Sequence, residues 1–285
     1  TPSACPQIVF WKRTRARRWQ APTIMNWRLS EDGALSGAWN MAVDEALLEG
    51  ARESGVPALR FYSWDPACIS LGRLQKVPEV ILKSTFDWVR RPTGGRAVLH
   101  QHEVTYCAVI PESCLAKENR SVIGAYNWLS QGFIAGLETL NIHAELAPAH
   151  RGKQLADNCF SAPAQCDFVV DGRKLIGAAQ CRKYGIILQH GAILIHIDAQ
   201  SWQTALGGAM HDAVSLEELG LQGDENTIMA ALADGLQRRF KIHFEQSKLS
   251  ENEKMLASQL HDLKYSQTNW NHQGKGYVSQ NFGRG

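Results

Sequence analysis

The chain has 285 residues, 44% of them hydrophobic and 20% charged, which is enough apolar material to bury one large core or two modest ones and excludes a disordered or fibrous protein. Thirty Lys and Arg stand against 28 Asp and Glu, a formal charge of +2, so the overall balance asks for neither nucleic acid nor an anionic membrane as partner. The seven cysteines include no CxxC pair and no spacing of a zinc site or disulfide framework, so a reducing, cytoplasmic compartment and no bound metal are expected.

Residues 1–24 carry Lys12, Arg13, Arg15, Arg17 and Arg18, no acid and three prolines. The composition is that of a transit peptide without its apolar period. We expect a disordered basic leader or an over-extended start ahead of Met25, with a nucleic-acid-binding arm as the alternative. The remaining residues, 25 basic against 28 acidic, are mildly acidic.

From Gly37 to Glu53 the apolar positions Trp39, Val43, Ala46, Leu47 and Ala51 fall on one face, and Gly55-Val56-Pro57 ends the run, which predicts a helix. Short β-like runs follow at Ala58 to Ser63, Cys68 to Leu71, Asp87 to Arg90, Ala97 to His100 and Thr105 to Ile110, expected as successive strands of one sheet. Val122, Tyr126, Leu129, Phe133, Leu137 and Leu140 recur every three or four residues, so a long helix packs on that sheet. After a polar, looped stretch from Ala147 to Asn158, Asp171-Gly172 between two apolar runs predicts a hairpin that sets Lys174 opposite Val169. A strand is expected from Gly185 to Ile197. Its hydrophobic part, Ile186 to Ile197, is interrupted by Gln189, His190 and His196 and is far short of the roughly 18 apolar residues of a membrane-spanning helix. Helices close the chain at Asn226 to Phe240 and Ser250 to Leu263, the second opened by a Ser250…Glu253 capping box. No repeat or linker divides residues 25–265, which read as one α/β (α+β) domain, a mixed β-sheet flanked by helices, with a polar tail at 266–285.

Three segments exceed what a scaffold needs. In Arg91-Pro92-Thr93-Gly94-Gly95-Arg96-Ala97-Val98-Leu99-His100, two glycines between strands let the backbone approach a ligand or turn its amides toward an anion. A plain Gly-Gly turn is the stronger reading on local features alone, since this is neither a Walker nor a Rossmann loop. Cys159 sits in a polar, loop-like setting, Asp157-Asn158-Cys159-Phe160, where reactivity is favoured, although a free cysteine is more often a small buried hydrophobe. Lys174 lies within an apolar strand. Snorkelling to solvent is the usual outcome; the sharper alternative is a cation aimed into a pocket beside Gly177, Ala178 and Ala179.

Together these segments resemble the biotin and lipoate ligase/transferase superfamily and, within it, the LipM-type octanoyltransferases. The likeness covers residues 26–270 and is carried by Trp39-Asn40-Met41-Ala42-Val43-Asp44-Glu45, the Arg91 to His100 loop, Cys159-Phe160 with Pro163, Gly172 to Gln180, Gln189-His190-Gly191, Lys264-Tyr265 and Trp270-Asn271. The resemblance implies a biotin/lipoate-ligase-like catalytic domain that moves octanoyl from acyl carrier protein to a lysine of a lipoyl domain or glycine-cleavage H protein. It implies an acyl-thioester on Cys159, Lys174 lowering the cysteine's pKa and meeting the acyl carbonyl, and an acyl pocket lined by Arg91, Gly94, Gly95, Ala97, Val98, His100 and Gly177. No cofactor is implied. Arg96 replaces a third glycine found in many ligases, which puts adenylate binding by this loop in doubt.

Alternatives are an ATP-dependent lipoate–protein ligase, a cysteine-dependent lipoyl amidotransferase and a non-catalytic scaffold that binds acyl carrier protein. The twenty polar residues after Tyr265 are too few for the adenylate-closing domain of many ligases, and a scaffold has no need of Cys159 or Lys174. His100, His102 and His190 are candidate bases for the second half-reaction, each more often a hydrogen-bonding structural histidine.

Overall fold

The computed structural model describes residues 25–147, 167–208, 212–221 and 223–274. The basic leader and Cys159 lie outside the described residues. The elements are β1 (Met25–Leu35), α1 (Gly37–Ser54), β2 (Ala58–Trp64), β3 (Cys68–Leu71), α2 (Glu79–Leu82), β4 (Asp87–Arg90), β5 (Val98–His100), β6 (Glu103–Pro111), α3 (Val122–Glu138), β7 (Glu145–Leu146), β8 (Phe168–Val170), β9 (Arg173–Lys183), β10 (Ile186–Leu194), α4 (Ala199–Leu206), α5 (Glu225–Phe240), β11 (Ile242–Gln246), α6 (Glu251–Leu260) and α7 (Thr268–Gln273).

The main sheet is mixed, in the order β11-β1-β2-β6-β10-β9-β8-β7. β1 lies parallel to both β11 and β2, and from β2 onward the pairs are antiparallel. The strands expected to continue a single sheet separate here: β4-β3-β5 form a small sheet of their own. Both edges of β2 are already taken, by β1 and β6, so the next strand has no place beside it. β1 is not among the expected strands; in the structure it runs through Glu31-Asp32-Gly33 with a register shift.

One face of the main sheet carries Leu59, Phe61 and Tyr106 against Phe133 of α3 and Leu232 of α5, the largest apolar cluster. α3 and α5 cross closely through glycines; a Cβ on Gly235 would lie 2.3 Å from the backbone of Gly132 and Gly136, nearer than packed atoms tolerate. The other face carries α1, with α6 behind it. α6 begins with the predicted capping box: Glu253 N donates to Ser250 Oγ at 3.3 Å and Ser250 N to Glu253 Oε2 at 2.7 Å. Lys264 Nζ and Tyr265 OH both donate to the buried Glu45 of α1, at 2.5 and 2.6 Å. Packing continues past Tyr265, since α7 buries Trp270 and its Nε1 donates to the Arg90 carbonyl. No helix among the described residues is long and apolar enough to cross a membrane.

The hairpin forms where Asp171-Gly172 placed it. Both residues have positive φ, 50° and 75°, as a two-residue type I′ turn requires, and Val169 faces Lys174. One position later the register slips, with Phe168 facing Ile176, so β9 carries an extra residue. Leu175 and Ile176 both enter the α3 and α5 core. Side chains alternate along a strand, so without the slip Lys174 would share the side of Ile176. The bulge puts it instead on the side of Gly177 and Ala179, as bulges re-aim side chains near functional sites.

Candidate active site

An apolar cavity, about 430 Å³ when the space open to solvent at its mouth is counted, lies between the main sheet, the small sheet and α1. Its floor follows one row of paired residues across the main sheet. Tyr62 of β2 faces Thr105 of β6, Thr105 faces Ala192 of β10, and Ala192 faces Gly177 of β9. At about 4.8 Å per strand the row runs roughly 14 Å. Met41 of α1 and Ser70, Val98 and His100 of the small sheet complete the walls. Small residues at Gly177, Ala178, Ala179, Gly191 and Ala192 keep the β9–β10 end open; Trp64 stands at the β2 end.

Five of the seven expected pocket residues, Arg91, Gly95, Val98, His100 and Gly177, line this cavity. Gly94 and Ala97 do not. Ala97 packs into the small-sheet core with Leu71, Leu99 and Trp202, and the Gly94 carbonyl accepts two hydrogen bonds from Arg91, at 2.7 and 3.1 Å. The loop's glycines thus serve its own backbone: Gly95 has φ 91°, and a Cβ on Gly72 would fall 1.9 Å from the Gly95 carbonyl oxygen. Arg91 fastens the loop from within by also binding the Arg96 and Ser70 carbonyls at 2.8 and 3.0 Å. Its neighbour Arg90 does the same outside, binding the carbonyls of Gly72 and Gln75 and, on α7, those of Asn271 and His272.

Two hydrogen-bond chains run from Arg91 along the cavity walls. On one side Arg91 Nη1 donates to Ser70 Oγ at 3.1 Å, Ser70 reaches His100 Nε2 at 2.7 Å, and His100 Nδ1 reaches Glu103 at 2.6 Å. Trp64 stacks on His100 with centroids 3.9 Å apart and donates to Thr105, which donates to Glu103. On the other side Arg91 Nε donates to Thr93 Oγ1 at 3.1 Å, Thr93 reaches His190 Nε2 at 2.7 Å, and His190 Nδ1 reaches Asp44 at 3.0 Å. Arg60 and Tyr62 also donate to Asp44, at 2.8 and 2.9 Å. Apart from Glu103 Oε2, which has no hydrogen-bond partner among the described residues, these polar groups satisfy one another, and the surface left facing the cavity is almost wholly carbon. Such a pocket suits a saturated chain.

Burial pushes the His190 imidazole below its ordinary pKa, against the pull of Asp44, so it is neutral near pH 7. Burial also acts to raise Asp44, but the His190 hydrogen bond and the charge of Arg60 outweigh it and hold the carboxyl below the usual range. A depressed carboxylate stabilises the fold above its unfolded value and ceases to do so as pH falls through its folded one. Asp44→Asn leaves the fully buried Arg60 short of a buried partner. It should cost about 3–5 kcal/mol in urea denaturation at pH 7, and the gap to the parent should close as pH falls below about 4.

Lys174 lies on β9. Lys174 does not reach solvent; its ammonium lies 2.6 Å from the buried carboxylate of Asp167, a partner the sequence reading missed. The thiols of Cys68, Cys107, Cys114 and Cys181 are all raised by burial, Cys181 to about 12, so none of these four is a ready nucleophile near neutral pH. Among the described residues no cluster of His, Cys, Asp or Glu could hold a metal ion.

The chain belongs to the lipoyl protein ligase A/B catalytic domain family, whose model matches residues 36–241. The similar proteins are more particular: the chain is 37% identical over 268 residues to octanoyltransferase LipM of Carboxydothermus hydrogenoformans, covering 86% of this chain and 97% of that protein. It is 34% identical over 274 residues to octanoyltransferase LipM of Bacillus subtilis, covering 86% and 98%. In fold it matches Ta0514 of T. acidophilum and a lipoate-protein ligase A bound with ATP, each with TM-score 0.73 and 23% identity over 87% of this chain and 99% of the other.

Proposed function

We propose that the chain is an octanoyltransferase of protein lipoylation that takes octanoyl from acyl carrier protein onto Cys159 as a thioester and passes it to a lysine of a lipoyl domain or glycine-cleavage H protein. The observation that carries this reading is the near-complete coverage of relatives named octanoyltransferase LipM. The apolar trench supports it, since an acyl chain laid along the Gly177–Ala192–Thr105–Tyr62 row has its carbonyl end at β9, toward Lys174, and its methyl end toward Trp64.

The carrier presents its acyl group already activated. Attack by the Cys159 thiolate forms one thioester as another breaks, a nearly isoenergetic exchange that needs no nucleotide. The Lys174 ammonium stabilises that thiolate and then the negative charge gathering on the carbonyl oxygen. An acceptor amine then attacks, the amide forms, and Cys159 leaves as thiolate; the proton lost by the amine balances the one gained by the carrier thiol.

Intact mass spectrometry of the protein mixed with octanoyl-loaded carrier protein and no nucleotide should show a gain of one octanoyl group. No gain would leave the ligase, which activates a free acid as its adenylate without an acyl-enzyme, or the scaffold; acyl transfer to a lipoyl domain that requires ATP would then select the ligase.

A further inference from the structure

The pairing of Lys174 with Asp167 bears on how a buried cation is kept in service. Lys174 is 1% exposed and Asp167 4%. Asp167 stands two residues before Val169, the residue Lys174 faces across the hairpin. Alternation along the strand puts both on the side of the sheet that carries Val169, and the β9 bulge makes this the side of the acyl trench. The main chain holds Lys174 in place from the other edge, its N–H donating to the Asp212 carbonyl at 2.6 Å and its carbonyl accepting from Val214 at 3.0 Å.

We infer that Asp167 is a positioning residue of the transfer reaction, keeping the Lys174 ammonium charged and aimed at the reacting end of the trench. The inference rests on the role of Lys174 proposed above. A carboxylate beside a cation has two opposed effects: it weakens the positive field felt by a nearby thiolate, and it keeps the cation from losing its proton. Burial decides between them. Burial penalises the charged form of an amine, and an anion alongside opposes that penalty. Among the described residues Tyr106 of β6 feels the Asp167 charge; its phenol is raised by burial first and by Asp167 in addition, so it stays neutral and does not replace the carboxylate. Loss of Asp167 therefore weakens the hold on the charged, aimed ammonium, which outweighs the gain in its field. It also frees the flexible four-carbon stem of Lys174.

The test compares iodoacetamide alkylation of Cys159 at pH 7 with acyl-enzyme formation from octanoyl-loaded carrier, in variants whose folding is checked by urea denaturation. Asp167→Asn should slow both by about 10–100-fold, the range typical of losing a partner that orients a functional group. The loss should fall on kcat, with KM for the carrier little changed. Asp167→Glu and Asp167→Gln have equal size and differ in charge, so Glu should recover most of the rate and Gln should not. In a Lys174→Met background Asp167→Asn should cost less than about twofold further, because Asp167 acts only through Lys174. Equal rates in Glu and Gln, faster alkylation in Asn, or an undiminished loss in the Lys174→Met background would each overturn the inference. If Lys174→Met leaves both rates intact, it is the role of Lys174 that fails.

Discussion

Cys159→Ala should lose octanoyl transfer by roughly 10⁴-fold or more, as enzymes do when a covalent nucleophile is removed, while Cys166→Ala and Cys181→Ala keep it within a few-fold. The contrast has a physical basis for Cys181. Burial first, and then the charge of Glu45, raise its thiol to about 12, so almost none is thiolate at neutral pH. Cys107 is deeper still and is raised further by the neighbouring Asp44. The measurement is transfer of octanoyl from carrier protein to a purified lipoyl domain, scored by the mass of the acceptor. Transfer retained in the Cys159 variant would remove the thioester from the mechanism and leave direct attack by the acceptor on the carrier-bound acyl group.

Lys174→Met should slow acyl-enzyme formation by about 10²–10³-fold, the usual loss when a group stabilising a developing oxyanion is removed. Alkylation of Cys159 by iodoacetamide has no carbonyl oxygen to stabilise and should fall by less. Lys174→Arg separates the two roles. It keeps the positive charge, but its planar head needs a different site from a compact ammonium, and here that head must fit a buried space 2.6 Å from Asp167. Arg should therefore preserve more of the alkylation rate than of the transfer rate. If both substitutions leave the pH profile of alkylation and the transfer rate unchanged, Lys174 has no part in the reaction.

The sequence motifs divide by what they do in the folded chain. Asp44 and Glu45 are adjacent in one motif, yet Asp44 anchors His190 at the cavity wall while Glu45 clamps Lys264 and Tyr265 far along the chain. Trp270 and Asn271, read only as family markers, meet Arg90, Trp270 at its carbonyl and Asn271 at its N–H and side chain. Arg91, expected in an acyl pocket, lines the cavity, and its hydrogen bonds go chiefly to the loop that it holds. Asp167 had no signal of its own, being a lone acid outside every motif.

What could be read without the fold is what depends on neighbours in sequence. Periodicity specified α1, α3 and α5, the capping box opened α6, and Asp171-Gly172 set the turn that pairs Lys174 with Val169, because each is decided within a few residues by backbone conformation or local hydrogen bonding. What depends on partners distant in sequence was decided only by the tertiary structure. The separation of β4-β3-β5 from the main sheet reflects which edges were already paired. The bulge that turns Lys174 to the cavity side is a matter of register, where one residue exchanges the two faces of a strand. The two hydrogen-bond chains join residues of α1, β3, β5, β6 and β10, because polar groups closed off from water must find each other wherever packing brings them.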